Sequence, residues 1–364
     1  MRDTAGPEDG ILRRGSLSSL MIYLDRNENN YGPAPACYEA LRNAGPAELS
    51  SYSRDYARGV KSPLSERLSS LFGLDEQRVL LGYGGEDLLK QSIHCYLHSG
   101  ETLLVPAHSW WYYKSIAAEV QGVTVEYPLL RGRDRFRFDI PALLEACHRQ
   151  KPAVVLISSP NNPTGNSLDL SETETILRGT GDAMVILDEA YFFRGPSTAV
   201  GALVDQFPNL LIVRTFSKYY ALAGLRIGFG LAGRNWTHLS EAMNRYLGYN
   251  RLSEKVAIAA LDSEEYYLDV AGKMEQDKRS YYHAFSQFTG CAIYQSEAHF
   301  VLASLPEGVC SSLDRFLTER GLKIKCMTEP HLQSHVRITV GTQDENRTCL
   351  LALREFFLGR GEGA

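Results

Sequence analysis

The chain has 364 residues, enough for about two domains whose cores need no disulfide or metal staple. Its apolar fraction of 44% and charged fraction of 22% are those of an ordinary globular protein, and no apolar run approaches the roughly 20 residues of a membrane helix. The net charge of −5 comes without a Lys/Arg-rich run, so there is no footprint for nucleic acid; the seven scattered cysteines lack a Cys-x-x-Cys pair and fit reduced thiols in the cytoplasm better than a disulfide framework or zinc site.

No apolar stretch follows Arg13-Arg14, so no export signal is expected, and residues 1–20 read as a loose, flexible polar arm. From residue 79 short apolar runs alternate with helical stretches. Strands are expected at 79–81, 102–105, 123–127, 153–157, 184–187, 210–214 and 226–231. Helices are expected at 86–97, 110–120 and 141–150, the last with Asp139 near its start. The continuous apolar character of 153–157 and 184–187 is that of strands buried on both faces. The alternation predicts an α/β domain with a mostly parallel central sheet. Residues 236–286 read as helical and as a join between domains. Short strands at 291–294, 300–303, 322–325 and 336–340 then interleave with helices at 309–320 and 343–358, which predicts a smaller α+β C-terminal domain.

The chemistry concentrates at Arg214-Thr-Phe-Ser-Lys218-Tyr-Tyr-Ala-Leu-Ala-Gly-Leu-Arg226-Ile-Gly228, which follows a predicted strand. A lone lysine is ordinarily a solvated surface residue. Here hydroxyls on one side and an arginine on the other surround it. Pyridoxal-phosphate (PLP) chemistry needs an amine to hold the aldehyde, and Lys218 supplies it. It also needs a cation and hydroxyls for the phosphate, which Thr215, Ser217 and Arg226 supply.

This string resembles the Schiff-base segment of class I/II PLP-dependent aminotransferases, in particular the histidinol-phosphate aminotransferase family. The resemblance covers roughly residues 22–358 and implies the fold type I of PLP-dependent transferases. It divides the chain into an N-terminal segment (21–50) packing with the small domain, a large PLP-binding domain (51–285) and a small C-terminal domain (286–364). It also assigns roles. In Asp188-Glu-Ala-Tyr191, Asp188 would contact the pyridine nitrogen and keep it protonated, and Tyr191 would bond the ring's 3′ oxygen. In Ser159-Pro-Asn-Asn162-Pro-Thr-Gly165, a turn by composition, Asn162 would make a second bond to that oxygen. In Leu81-Gly-Tyr-Gly-Gly85-Glu86-Asp87, the backbone of Gly85 and Glu86 opens a helix and would bind phosphate; the spacing lacks the third glycine of a dinucleotide fold. Either Trp110 or Trp111 would stack on the cofactor ring, the other being a core aromatic. Arg337, in Val336-Arg337-Ile-Thr-Val-Gly341, would fork onto the substrate α-carboxylate. Asn29, in Asn27-Glu-Asn29, would line the site's mouth. Tyr52 would reach the phosphate of a neighbouring subunit's cofactor, which implies a homodimer with shared sites.

The sequence departs from the family on the substrate side. Lys325 stands where a phosphate-recognising arginine is usual, and lysine lacks the bidentate fork. His299 lies in a stretch where asparagine is common and is expected to be either a substrate contact or structural. Tyr83 replaces a small polar residue, and the upstream stretch with a substrate-binding tyrosine is not recognisable. The expected activity is amino-group transfer between an amino acid, or a histidinol-phosphate-like amine, and a 2-oxo acid, in amino-acid biosynthesis. Lys218 would act as proton shuttle. The alternative on the same cofactor residues is a decarboxylase, lyase, cyclase or oxidase of specialised metabolism; a non-catalytic regulator is disfavoured because Lys218, Asp188, Asn162, Tyr191 and Arg226 are all kept.

Overall fold

The computed structural model describes residues 21–193 and 198–359, so the expected arm at 1–20 lies outside the described residues. In chain order the strands are β1 (Ile22–Leu24), β2 (Val79–Gly82), β3 (Thr102–Pro106), β4 (Val123–Tyr127), β5 (Leu129–Arg131), β6 (Phe136–Phe138) and β7 (Val154–Ser158). They continue as β8 (Met184–Asp188), β9 (Leu210–Thr215), β10 (Gly228–Ala232), β11 (Ala292–Tyr294), β12 (Phe300–Ser304), β13 (Leu322–Cys326) and β14 (His335–Thr339).

A seven-stranded sheet runs β2-β10-β9-β8-β7-β3-β4. All its neighbours pair in parallel except β10, which is antiparallel to both β2 and β9. Its central strands β7, β8 and β9 are apolar until their last residues because both faces are covered, whereas the edge strand β4 is partly exposed. Val155 and Ile157 of β7 point into one core with Val185, Leu187 and Ile212. Val154 and Leu156 point into the opposite core with Ile186, Leu211 and Val213. Side chains that alternate between two cores leave no position for a polar residue until the strand ends. Helices with side-chain caps flank the sheet. Asp139 caps Ile140–Gln150 by accepting from the Ala142 N–H, and Asp169 closes a capping box with Glu172 on Leu170–Gly179.

The second sheet runs β1-β13-β14-β12-β11, with β1 parallel to β13 across about 300 residues of chain. Its core joins Leu24, Val301, Ile324, Ile338 and Leu353 to Tyr281 and Phe285. These last two come from the helix Glu264–Phe285, whose other end puts Tyr267 into a core of the central sheet, so one rigid helix spans both layers. The N-terminal segment divides, contrary to the expectation that all of 21–50 packs with the small domain. β1 joins the small sheet, whereas the helix Pro35–Arg42 lies on the helix Arg251–Leu261 with Ala34 and Cys37 in the large core. The strand expected at 226–231 begins only at Gly228, because Arg226 is in the left-handed region with φ 49°.

One glycine ties this fold to the cleft. A Cβ on Gly228 would stand 2.6 Å from Gly84 C and Gly85 N, so β10 and the turn after β2 can approach only without a side chain. Gly228→Ala is expected to lower unfolding free energy by about 2 kcal/mol in denaturant titration. Gly272→Ala, in an exposed helical position where a Cβ meets nothing within 4 Å, is expected to raise it by about 0.5–1 kcal/mol.

Candidate active site

A cleft of about 860 Å³ opens where the parallel strands end. β7 and β8 are in register at Ser158 and Asp188, so the loops carrying Asn162 and Tyr191 leave the sheet side by side. Lys218 enters from the loop after β9, and its Nζ donates to the Arg26 carbonyl at 3.1 Å and lies 5.6 Å from the centre of the Tyr191 ring.

Asp188 is 4% exposed. Its Oδ2 accepts from the Tyr113 hydroxyl at 2.6 Å and its Oδ1 from the Ala190 N–H at 2.9 Å. Burial raises the pKa of its carboxyl, and these two donors, both uncharged, oppose the rise. Beside it, the Asn162 amide donates to the Tyr191 hydroxyl at 3.2 Å.

At the other end of the cleft the helix Gly85–Tyr96 begins after Gly84, which has φ 89° and gives no side-chain cap. Its first N–H groups therefore face the cleft unmet by a side chain. Around them lie Thr215, Ser217 and Arg226. Thr215 Oγ1 and Ser217 Oγ are 3.0 Å apart, Arg226 Nη1 reaches the Ser217 hydroxyl at 3.5 Å, and Arg226 Nη2 is 3.7 Å from the exposed Glu86 carboxylate. A Cβ on Gly84 would be 2.7 Å from Arg226 Nη2. The guanidinium packs directly on the glycine backbone, and the whole forms a cup for a dianion.

Arg337 reaches across from β14. Its Nη1 donates to Asn162 Oδ1 at 2.6 Å and its Nη2 to the Asp25 carbonyl at 2.5 Å, while Nε is buried without a partner among the described residues. Burial lowers its pKa; Tyr191, Glu329 and Asp25 act the other way.

Gly85, Glu86, Trp110, Trp111, Asn162, Asp188, Tyr191, Thr215, Ser217, Lys218, Arg226, Lys325 and Arg337 all line the cleft. Trp110 is half-buried with its ring edge-on to Tyr113 at 5.4 Å, whereas Trp111 is 59% exposed. Three residues do not line it. Asn29 is buried and donates to the Tyr219 carbonyl at 3.0 Å, which pins the N-terminal segment instead of facing the mouth. His299 is buried behind Tyr191, stacked on Phe193 at 4.3 Å, with Nε2 2.8 Å from the Asn27 carbonyl. Burial first, then the charge of Lys218, pushes its pKa down to about 3, so the imidazole is held neutral in the core. Tyr52 is 70% exposed and away from this chain's own cleft.

Sequence reasoning missed Tyr113, which follows Trp110 by one helical turn. In the helix expected at 110–120 the 3.6-residue period puts both residues on one face, which was the available signal, although the helix itself starts at Tyr112. It also missed Asp25 and Glu329, which line the cleft from segments without a recognisable motif.

A family profile described as "Aminotransferase class I and II" matches residues 20–353. A histidinol-phosphate aminotransferase of Gluconacetobacter diazotrophicus is 33% identical over 346 residues, 92% of this chain and 90% of that protein. One of Symbiobacterium thermophilum is 31% identical over 98% of this chain and 95% of its own length. Among solved structures, histidinol-phosphate aminotransferase from Sinorhizobium meliloti in complex with pyridoxal-5′-phosphate superposes with a TM-score of 0.81 at 24% identity, covering 93% of this chain and 92% of that one. The chain therefore belongs to the class I and II aminotransferases, and the fold type I architecture, the PLP cofactor and the aminotransferase activity expected from its sequence hold.

Proposed function

We propose that this cleft binds PLP through Lys218 and transfers an amino group between an amino acid, or a histidinol-phosphate-like amine, and a 2-oxo acid, in cytoplasmic amino-acid biosynthesis. The observation that carries the reading is the convergence of three groups in one cleft: the Lys218 amine, the buried Asp188 carboxylate and the anion cup at Gly85, Thr215, Ser217 and Arg226. The residues fit the cofactor. Among the described residues the buried carboxylate is held by neutral donors, and a protonated pyridine nitrogen would supply a cation. A glycine-backed cup with a guanidinium suits a phosphate dianion.

When bound, PLP supplies an electron sink for the charge that develops on the substrate α-carbon. The protein's own groups do the rest. Lys218 takes and returns the α-proton at Nζ. Asp188 holds negative charge at the cleft floor, and Asn162 and Tyr191 form a hydrogen-bonding pair beside it. Trp110 is the better stacking candidate, because its contact with Tyr113 places it next to the group that anchors Asp188. Arg337 orients the substrate carboxylate with Asn162 beside it. Lys325, a point charge at the mouth, is assigned to the distal end of the substrate.

A homodimer is supported by the exposed Leu49, Tyr52, Tyr56, Tyr246 and Leu247. The segments bearing them are joined by the Ser53 N–H to Leu247 carbonyl bond at 3.2 Å and by the edge-on contact of Tyr56 and Tyr246 at 5.7 Å. Tyr52 on this patch would serve the partner's site.

Two outcomes are expected. With 2-oxoglutarate and a panel of L-amino acids or histidinol phosphate, the protein forms glutamate, and Lys218→Ala lowers that rate by at least roughly 10³-fold. Release of carbon dioxide, ammonia or peroxide without glutamate would instead place the chain among other PLP enzymes. Arg337→Lys raises KM for the amino acid about tenfold while changing kcat less, since it removes binding geometry and not the proton shuttle.

A further inference from the structure

Tyr113 makes the shorter of the two hydrogen bonds to the buried carboxylate of the cleft, 2.6 Å from its hydroxyl to Asp188 Oδ2. Its side chain is 1% exposed and Asp188 4%, so neither can substitute water for the other. The bond links a helix to a strand end: Tyr113 lies in the first turn of the helix Tyr112–Glu119, and Asp188 is the last residue of β8. The same tyrosine ring meets Trp110 edge-on at an interplanar angle of 85°.

We infer that Tyr113 is a positioning residue of the cofactor site, which aims the Asp188 carboxylate into the cleft and holds it in its charged form. This rests on the reading that Asp188 faces the pyridine nitrogen. The two hydrogen bonds on Asp188 do different things. The Ala190 N–H, two residues along the chain, fixes the turn and is present whatever side chain follows. The Tyr113 hydroxyl comes from 75 residues away and takes the other oxygen, which fixes the rotation of the carboxylate plane. A charged acceptor gains more from such a donor than a neutral one does, so the bond opposes the effect of burial on Asp188. The donor is dependable, because burial first and then the nearby Asp188 charge raise the tyrosine's own pKa well above its usual value. The other groups acting on the pair are Ser158 and Tyr191, on the tyrosine's side, and Glu189, behind Asp188. None of them is a cation that could take over the role of the hydroxyl. The contact with Trp110 extends the role, since the ring that orients the carboxylate also buttresses the neighbouring indole.

The test is a double-mutant cycle with cofactor affinity as its readout. Apo-protein is titrated with PLP, followed by tryptophan fluorescence, from neutral to acid pH, for the native chain, Tyr113→Phe, Asp188→Asn and the double variant. Phenylalanine keeps the ring and its packing. The inference expects Tyr113→Phe to weaken PLP binding about tenfold. It also expects the acid-side loss of affinity to move up by about one pH unit, because a carboxylate deprived of its donor protonates sooner. In the Asp188→Asn background the same substitution should change affinity less than about twofold. An equal effect with and without Asp188 would assign Tyr113 a purely structural role and overturn the inference. Native affinity and native pH dependence in Tyr113→Phe, with Asp188→Asn impaired, would overturn it while leaving the Asp188 reading intact. Asp188→Asn behaving as the native chain would overturn both.

Discussion

A carboxylate buried at the end of a parallel strand is costly unless something compensates it. Asp188 is in that position, and among the described residues it accepts from a tyrosine hydroxyl and a backbone N–H, neither of them charged. A group so placed is stabilised fully only when a cation arrives from the one open side, the cleft. Much of the remaining architecture can be understood as holding that side open and keeping the other sides closed. The strands on either side of Asp188 are apolar on both faces, so the sheet cannot shift to admit water from below. Behind it the buried Arg214–Glu189 pair, at 2.7 Å, locks the ends of β8 and β9 together.

The two sheets contribute opposite halves of the site. The central sheet supplies the amine, the carboxylate and the anion cup, from the last residues of β8 and β9 and from the segments that follow β2 and β9. The small sheet supplies Arg337, whose bonds to Asn162 and to the Asp25 carbonyl join β14, the loop after β7 and the segment after β1. The arginine is thus a staple between layers as well as a candidate for the substrate carboxylate. Its Nε, without a partner among the described residues, shows that the staple does not exhaust its donors. The groups proposed to hold the cofactor and the arginine proposed to orient the substrate thus come from different sheets and meet at the Arg337–Asn162 bond, and Lys325, where the sequence is read as departing from the family, lies on the small sheet.

How much was legible in the sequence follows the same division. Asp188, Asn162, Lys218 and Arg226 sit in contiguous strings next to strand ends, where a buried apolar run must give way to polar residues, and local pattern was enough to find them. The core strands were legible for the same reason, since 153–157 and 184–187 match β7 and β8 to within a residue. What could not be read depends on contacts distant in sequence. Nothing local distinguishes β10 as antiparallel, pairs β1 with β13, or shows that 35–42 leaves the small sheet for the large core. Asn29 and His299 looked like site residues because their neighbours do. Their side chains turn toward the Tyr219 and Asn27 carbonyls, and such packing has no signature in the local pattern. Tyr113 was overlooked for the converse reason: beside two tryptophans and another tyrosine it looked like core, and only the fold brings Asp188 to its hydroxyl.

The central claim is that Lys218 is the residue that holds the cofactor covalently in a cleft built around Asp188. It is tested most directly by reducing the PLP-loaded protein with borohydride, digesting it and mapping the phosphopyridoxyl group by mass spectrometry. The account predicts the label on the peptide containing Lys218, in about one copy per chain. A label on another lysine, or none, would contradict it.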